Sequence, residues 1–148
     1  MIFEQTDDSE FVTRCLTHPS VWRMGSDDSM TGINPGLFFV QKNNKLWLKA
    51  GDHGVLMGDQ RNLVTYEVHV ALLPGARGQA VDICIGAMRW MFSNTKAQRL
   101  NASIPEYNKL ALRLASKVGM ELMGINKKSF LKNGKLFNQY LYGISKGE

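Results

Sequence analysis

The sequence predicts a mixed α/β (α+β) sandwich, in which a mostly antiparallel sheet is the middle layer. Three observations lead to this prediction. Residues Leu63–Leu72 alternate in polarity like a β-strand, a glycine-rich turn follows at residues 74–80, and an apolar helix pattern follows the turn. Other segments with strand patterns lie on both sides of these elements in the chain, so the helices have a sheet on which to pack.

The first 36 residues are predicted to form a short strand, two helices and a loop. The predicted elements are a strand at Ile2–Gln5, a helix capped by Asp7 or Asp8 that ends near Thr17 at His18-Pro19, and a short helix near Ser20–Met24. Residues Gly25–Gly36 are rich in Ser, Asp, Asn, Pro and Gly, which is the composition of a mobile loop.

The middle of the chain is predicted to form an antiparallel meander. Its elements are strands at Leu37–Gln41 and Lys45–Lys49 around a Lys42-Asn43-Asn44 turn, a turn at Gly51–Gly54, and a strand near Val55–Met57. In the next strand, Leu63–Leu72, one face carries Val64, Tyr66, Val68, Val70 and Leu72, and the other carries Thr65, Glu67, His69 and Ala71.

The second half alternates helices and strands. We expect an apolar, central helix at Gly78–Phe92 and a strand at Arg99–Ile104 that is interrupted by Pro105. A helix follows from Tyr107 to Val118, with Gly119 after its end. The closing strands are predicted at Met120–Gly124 and Leu136–Tyr142, joined by a lysine-rich turn around Asn133-Gly134. The last of these strands is predicted to be an exposed edge, which offers a route to a homodimer.

Size and composition limit the classes of function. A chain of 148 residues is predicted to form a single domain over residues 1–148. It has no apolar run long enough to cross a bilayer and an acidic start, MIFEQTDDSE, so we expect a cytoplasmic protein without a membrane partner. The net charge of +5 suits an acidic ligand, although it also falls in the range that keeps small proteins soluble.

The titratable side chains do not indicate a metal or an extended nucleic-acid surface. Cys15 and Cys84 lie in apolar helical patterns and are interpreted as buried free thiols, and the three histidines lack zinc-ligand spacing, so no metal is predicted. Lysines concentrate in the second half but do not interleave with aromatic residues, which makes nucleic-acid binding the weakest hypothesis.

The strand, turn and helix around residues 74–80 have the form of an anion site. The first four N–H groups of a helix lack partners within the helix, and the helix dipole favours negative charge there. Gly75 and Gly78 allow a sharp turn and close approach of the backbone to a ligand, and Arg77 adds positive charge. The alternative interpretation is an ordinary strand-to-helix turn whose glycines serve only its geometry.

These segments together resemble the GCN5-related N-acetyltransferase (GNAT) family. Residues 66–70, Tyr-Glu-Val-His-Val, followed by Pro-Gly-Ala-Arg-Gly-Gln-Ala at 74–80, look like the family's fourth strand and pyrophosphate loop, with Gly75 where Gln or Arg is usual. A second block, Asn108-x-x-Ala111 and then Lys117-Val118-Gly119-Met120, resembles the family's Asn-containing helix. The resemblance covers about residues 37–142 and implies a GNAT-like fold, with a twisted sheet that has a V-shaped splay and helices on both faces.

The resemblance implies binding of acetyl-CoA and transfer of its acyl group to an amine, which is a small molecule or a protein. The pyrophosphate is expected on the backbone N–H groups of Arg77, Gly78, Gln79 and Ala80. The pantetheine arm is expected beside Leu72 and Leu73, with Asn108 near it. An amine then attacks the thioester directly, while a base removes the amine's proton and a Tyr often protonates the leaving thiolate.

The catalytic candidates are Glu67 as base, His69 as a second base or water-orienting group, and Tyr107 as acid. Tyr107 is considered because Ala115 occupies the position of the family's Tyr, and Ser116 points about 100° away from it on the helix. The alternatives remain an ion-paired strand carboxylate for Glu67, a packing histidine for His69 and a plain helix cap for Asn108. Of the tryptophans, Trp22 is the candidate for contact with the acceptor.

Two hypotheses of different class therefore follow from the sequence. The first is an acetyl-CoA-dependent N-acyltransferase with Glu67 as base. The second is a catalytically inactive protein of GNAT fold that acts in assembly or protein interaction. This hypothesis arises because a short chain without the Tyr also resembles acetyltransferase-like proteins encoded in tailed-phage genomes. A phage-encoded protein of this kind would be expected in the host cytoplasm.

Overall fold

The computed structural model describes residues 1–30 and 44–148, and they form a seven-stranded mixed sheet with helices on both faces. The elements in chain order are β1 (Phe3–Gln5), α1 (Ser9–Thr17), α2 (Pro19–Gly25), β2 (Lys45–Ala50), β3 (Gly54–Gln60), β4 (Thr65–Leu72), α3 (Ala80–Asn94), β5 (Arg99–Pro105), α4 (Lys109–Lys117), β6 (Glu121–Lys132) and β7 (Lys135–Ser145). The predicted fold class is confirmed. The predicted strand at Leu37–Gln41 lies outside the described residues.

The sheet order is β1-β2-β3-β4-β5-β7-β6, and each neighbouring pair is antiparallel except β4 and β5. The prediction that Leu136–Tyr142 is an edge strand is wrong, because β7 enters the sheet between β5 and β6 and residues 139–145 pair with β5. The strand at this end of the sheet is β6.

The parallel pair β4–β5 is very short. Its register covers only Thr65↔Arg99, Tyr66↔Leu100 and Glu67↔Asn101, although β4 continues to Leu72 and β5 continues to Pro105. The two strands therefore diverge beyond Glu67, and this divergence is the V-shaped splay expected from the resemblance.

Alternation along the strands explains how one sheet carries helices on two sides. Tyr66 and Val68 of β4 pack with α3 and α4 in the larger core cluster, whereas Ala71 packs with Phe11 and Cys15 of α1 in a second cluster. The predicted division of β4 into two faces is thus confirmed.

Local signals account for the helix ends. The Asp8 carboxylate caps α1 by accepting a hydrogen bond from the Phe11 N–H at 3.1 Å, and Asn108 Oδ1 caps α4 by accepting one from the Ala111 N–H at 3.2 Å. Gly119 follows α4 with φ +92°, a left-handed conformation that glycine adopts without steric cost. The capping role considered for Asn108 is therefore confirmed.

Two predicted boundaries differ from the structure for identifiable reasons. Residues Pro74–Gln79 form a 3-10 helix, so α3 begins at Ala80 rather than Gly78. The turn between the last two strands is only Asn133-Gly134, because β6 continues through the lysines at 127 and 128, past a register shift between Asn126 and Phe130.

None of the helices in the described part of the chain is long and apolar enough to span a bilayer.

Candidate functional site

A cavity of about 540 Å³ lies at the splay between β4 and β5. Both faces of the sheet contribute to its wall. The side of α1 and α2 contributes Trp22, Trp47 and Met57, and the side of α3 and α4 contributes Met88, Ala111 and Ala115. The cavity therefore connects the two faces of the sheet at the point where the strands separate.

The backbone of β4 borders the gap with groups that β5 does not pair. The Val64 carbonyl accepts the Arg99 N–H of β5, whereas the Leu73 N–H points the other way and donates to His53 at 2.8 Å. Because backbone groups of successive strand residues point to opposite sides, the N–H and C=O groups of Val70 and Leu72 face the gap. The pairing register with β5 ends at Glu67, three residues before Val70.

Of the two residues expected beside a pantetheine arm, only Leu72 keeps its backbone toward the gap. Both backbone groups of Leu73 have partners, because its carbonyl also accepts the Ala76 N–H at 2.9 Å. The part of the expectation that used Leu73 backbone groups is therefore not supported by this geometry.

The glycine-rich segment adopts a regular backbone rather than the sharp turn expected from its glycines. Arg77, Gly78 and Gln79 belong to the 3-10 helix, and Ala80 is the first residue of α3. Neither Gly75 nor Gly78 has a positive φ, and a Cβ added at either would meet no atom within 4 Å. Gln79 is the N-cap of α3 and forms no side-chain capping bond, so this end of α3 has no side-chain acceptor at its cap position.

Glu67 and His69 lie next to each other on the cavity wall. Glu67 Oε1 is 3.4 Å from His69 Nε2, and Glu67 Oε2 accepts a hydrogen bond from Arg61 Nη2 at 2.8 Å. The hydrogen bond with His69 and the positive charges beside it hold the pKa of the Glu67 carboxyl below its usual value, although partial burial opposes this shift. Glu67 is thus an ion-paired carboxylate, as the alternative interpretation expected, and it also lines the cavity.

Tyr107 does not line the cavity. Its hydroxyl donates to the Met24 carbonyl at 3.0 Å, and its ring packs edge-on against Phe137 with 5.0 Å between ring centroids. Burial, together with the charge of Asp27, raises the pKa of this phenol. Tyr107 therefore joins α2 to the β6–β7 hairpin, and the structure does not bring it to Glu67 and His69 as an acid.

The other positions discussed from the sequence divide between the cavity and its surroundings. Asn108 lines the cavity, and because its cap uses only Oδ1, its Nδ2 group remains a donor that the cap does not use. Ala115 also lines the cavity and is buried, whereas Ser116 is exposed. Trp22 lines the cavity, and its contact with an acceptor remains a prediction.

Sequence reasoning missed Arg61, which forms the ion pair with Glu67. Trp47 was predicted to be a packing residue, and it is buried in a core cluster while also lining the cavity. The signal for Arg61 was present in the hairpin, because Asp59 and Glu67 are register partners and Arg61 follows Asp59 by two residues. Within the described residues, no group of three or more His, Cys, Asp or Glu could hold a metal ion. The expectation of no metal remains a prediction.

Solved structures of N-acetyltransferases share this fold over nearly the whole chain. A protein proposed to be a phosphinothricin N-acetyltransferase superimposes with a TM-score of 0.79 at 18% identity, covering 99% of each chain. The spermidine N-acetyltransferase of Vibrio cholerae, solved with CoA and spermine, gives 0.76 at 13% identity over 98% of this chain and 95% of its own. An acetyltransferase of the GNAT family from Bacillus anthracis gives 0.69 at 19% identity over 100% and 97%.

These likenesses show that the chain has the GNAT acetyltransferase fold. Comparison of the sequence with models of protein families and with curated proteins finds no match.

Proposed function

We propose that this protein is an acetyl-CoA-dependent N-acyltransferase that transfers an acyl group to an amine by direct attack. The observation that supports this most is the splay of β4 and β5, with a cavity that passes between the strands and carries Glu67 and His69 on one side. A fold alone does not specify an activity. Here, however, the fold is combined with a cavity and titratable groups at the place where the chemistry would occur.

The residues at the splay fit a CoA thioester. The backbone of Leu72 faces the gap and can pair with amide groups of a pantetheine arm, and the Asn108 amide can donate to the same arm. The N–H groups of residues 77–80, at the start of α3, would hold the pyrophosphate. When bound, acetyl-CoA supplies the activated acyl carbon; the amine nitrogen bonds to this carbon as the carbon–sulfur bond breaks and CoA leaves as thiolate.

Glu67 and His69 would act together as the base. Glu67 is held as a carboxylate by Arg61, which makes it a weak proton acceptor but a strong partner for an imidazole N–H. If His69 Nε2 donates to Glu67, then Nδ1 of the same ring is the acceptor, so it can take the proton that the amine loses. Loss of a general base costs about 10²–10⁴-fold in rate.

The first experiment measures thermal stability with acetyl-CoA, with CoA and with a plain polyphosphate. Ligand at about 100 times its Kd adds roughly 2.7 kcal/mol. Amine-dependent release of the CoA thiol then measures transfer in Glu67→Gln and His69→Gln. Matched controls are Asp52→Asn and His53→Gln in the β2–β3 turn, since neither residue lines the cavity.

The proposal requires a shift with acetyl-CoA above that with polyphosphate, and lower transfer in the two cavity variants but not in the controls. The second candidate is a catalytically inactive interaction protein, which Ala115 at the family's Tyr position favours. Absence of any acetyl-CoA shift, together with a stable complex with a protein partner from the source cell, would support that candidate and refute the enzyme.

A further inference from the structure

The wall around Glu67 and His69 is built from two rows of side chains that the strand register aligns. Register partners on antiparallel strands share a face of the sheet. One row is Trp47, Met57 and His69, and the adjacent row is Lys45, Asp59 and Glu67. The row that contains His69 is thus otherwise apolar, and the row that contains Glu67 consists of charged side chains.

Other elements extend the apolar part of this wall. Helices α1 and α2 and strand β6 contribute Leu16, Val21, Trp22, Met24 and Phe130 to the cavity. Trp22 is half-buried and lines the cavity. An apolar group on a substrate would lose contact with water here, which favours its binding in proportion to the area covered.

The charged row contains no carboxylate that is left for a second cation. Glu67 is the one Asp or Glu that lines the cavity among the described residues, and Arg61 binds it. Asp59 lies 3.5 Å from the same guanidinium, and Lys45 adds a positive charge to the wall.

Carboxylates farther from the base, which include Asp27, Asp28 and Glu106, do not line the cavity. Asp28 accepts the backbone N–H groups of Asn133 and Gly134 at 2.6 and 2.8 Å, and Glu106 accepts that of Asn138 at 3.0 Å. Residues 31–43 contain no Asp or Glu in the sequence, so that segment adds no carboxylate wherever it lies.

We infer that the acceptor is a monoamine whose single amino group is attached to an apolar body, aromatic or branched aliphatic, and is not a polyamine. This inference rests on the proposed function and specifies its substrate class. A polyamine would place a second ammonium group against Lys45 and apolar side chains without a counter-ion, which is unfavourable once the group loses water. A phenyl or alkyl group would instead contact Trp22 and Met57.

The test compares 2-phenylethylamine with spermidine as acceptors at a fixed, saturating concentration of acetyl-CoA. Release of the CoA thiol gives kcat/KM for each amine, and calorimetric titration of each amine into the CoA-bound protein measures binding without chemistry. We expect kcat/KM for 2-phenylethylamine to exceed that for spermidine by about tenfold or more.

Two variants and a control test the wall itself. Trp22→Leu is expected to lower kcat/KM for 2-phenylethylamine several-fold and to leave the acetyl-CoA thermal shift unchanged. Trp90→Leu is the matched control, because Trp90 is also half-buried but does not line the cavity. Lys45→Glu is expected to raise the use of spermidine relative to 2-phenylethylamine.

The outcomes separate this inference from the function on which it rests. If acetyl-CoA stabilises the protein and spermidine is used as well as 2-phenylethylamine or better, the inferred substrate class is wrong and the acyltransferase proposal stands. If acetyl-CoA gives no shift and neither amine releases thiol, both fail. An unchanged preference in both Trp22→Leu and Lys45→Glu also overturns the inference.

Discussion

Replacement of Gly78 by alanine separates a structural role of the glycine-rich segment from a ligand-binding role. A Cβ at this position meets no atom within 4 Å, and its φ is not in the left-handed region. The fold therefore has no need of glycine there. Because alanine restricts the unfolded chain more than glycine does, Gly78→Ala is expected to raise the free energy of unfolding by about 0.4–1 kcal/mol.

The same methyl group would stand where a pyrophosphate approaches the backbone. A tenfold weaker Kd corresponds to about 1.4 kcal/mol. At a fixed acetyl-CoA concentration of about 100 times the wild-type Kd, ligand stabilisation would fall from roughly 2.7 to roughly 1.4 kcal/mol. The ligand-induced rise in Tm should therefore fall by about half in Gly78→Ala.

Calorimetric melting with and without acetyl-CoA measures both effects in one experiment. Gly124→Ala is the matched control, since a Cβ at Gly124 also meets no atom within 4 Å and this residue lies in β6, away from the segment. An unchanged ligand shift in Gly78→Ala would refute close approach of the ligand. A large loss of stability without ligand would refute the claim that the fold does not need this glycine.

Three further predictions concern charges and thiols. The pKa of Glu67 is lowered in the fold, so its ion pair stabilises the protein above the ordinary carboxyl pKa of about 4.3, and this stabilisation is lost as the pH falls through the lowered value. Glu67→Gln should therefore have a free energy of unfolding lower by up to about 1 kcal/mol at pH 7. Urea titrations should show that the difference between the variant and the wild type disappears in acid. Asp28→Ala removes the acceptor of the Asn133 and Gly134 N–H groups, so hydrogen exchange at both amides should accelerate about tenfold, unlike in Asp52→Ala. Burial raises the pKa of Cys84 to about 11, so at pH 8 a disulfide reagent should modify the native protein far more slowly than the urea-unfolded chain; equal rates would contradict the burial.

Most elements could be predicted because their signals are local. The alternation in β4, the Asp8 and Asn108 caps and Gly119 each determine structure within a few residues. The order of the last two strands could not be predicted in this way. Which of β6 and β7 lies inside the sheet depends on the pairing between β5 and β7, which are about forty residues apart in the chain. The apolar residues of β6 and β7 do not distinguish an interior strand from an edge strand.

The candidate site was predictable as a location but not as a set of partners. The β4 pattern indicated that Glu67 and His69 share a face, and the structure places both on the cavity wall. The Arg61 ion pair and the hydrogen bond from Tyr107 to Met24 depend on tertiary contacts of side chains. The contacts of Glu67 lower the pKa of its carboxyl, and the bond to Met24 engages the Tyr107 hydroxyl outside the cavity.

Ala115 poses the remaining chemical question, which is how the thiolate leaves without a nearby phenol. Ala115 is 5% exposed and lines the cavity at the position where the family pattern has Tyr. A thiol ordinarily titrates at about 8.5, so its thiolate is a good leaving group and a general acid assists its departure without being essential. The proposed enzyme therefore does not require a phenol, but it should gain from one.

Ala115→Tyr is accordingly expected to raise kcat several-fold at pH 7 if departure of the thiolate limits the rate, and the gain should disappear above a pH of about 10, where an ordinary phenol ionises. Ala115→Phe is the matched control, because it fills nearly the same volume without a hydroxyl. Both variants overfill a buried position, at a cost of about 1–3 kcal/mol, so their melting temperatures are measured before their rates. Equal rates for the two variants would mean that the hydroxyl does not reach the leaving sulfur or that another step limits turnover. A faster Tyr variant would instead show that a catalytic cavity capable of acyl transfer surrounds residue 115.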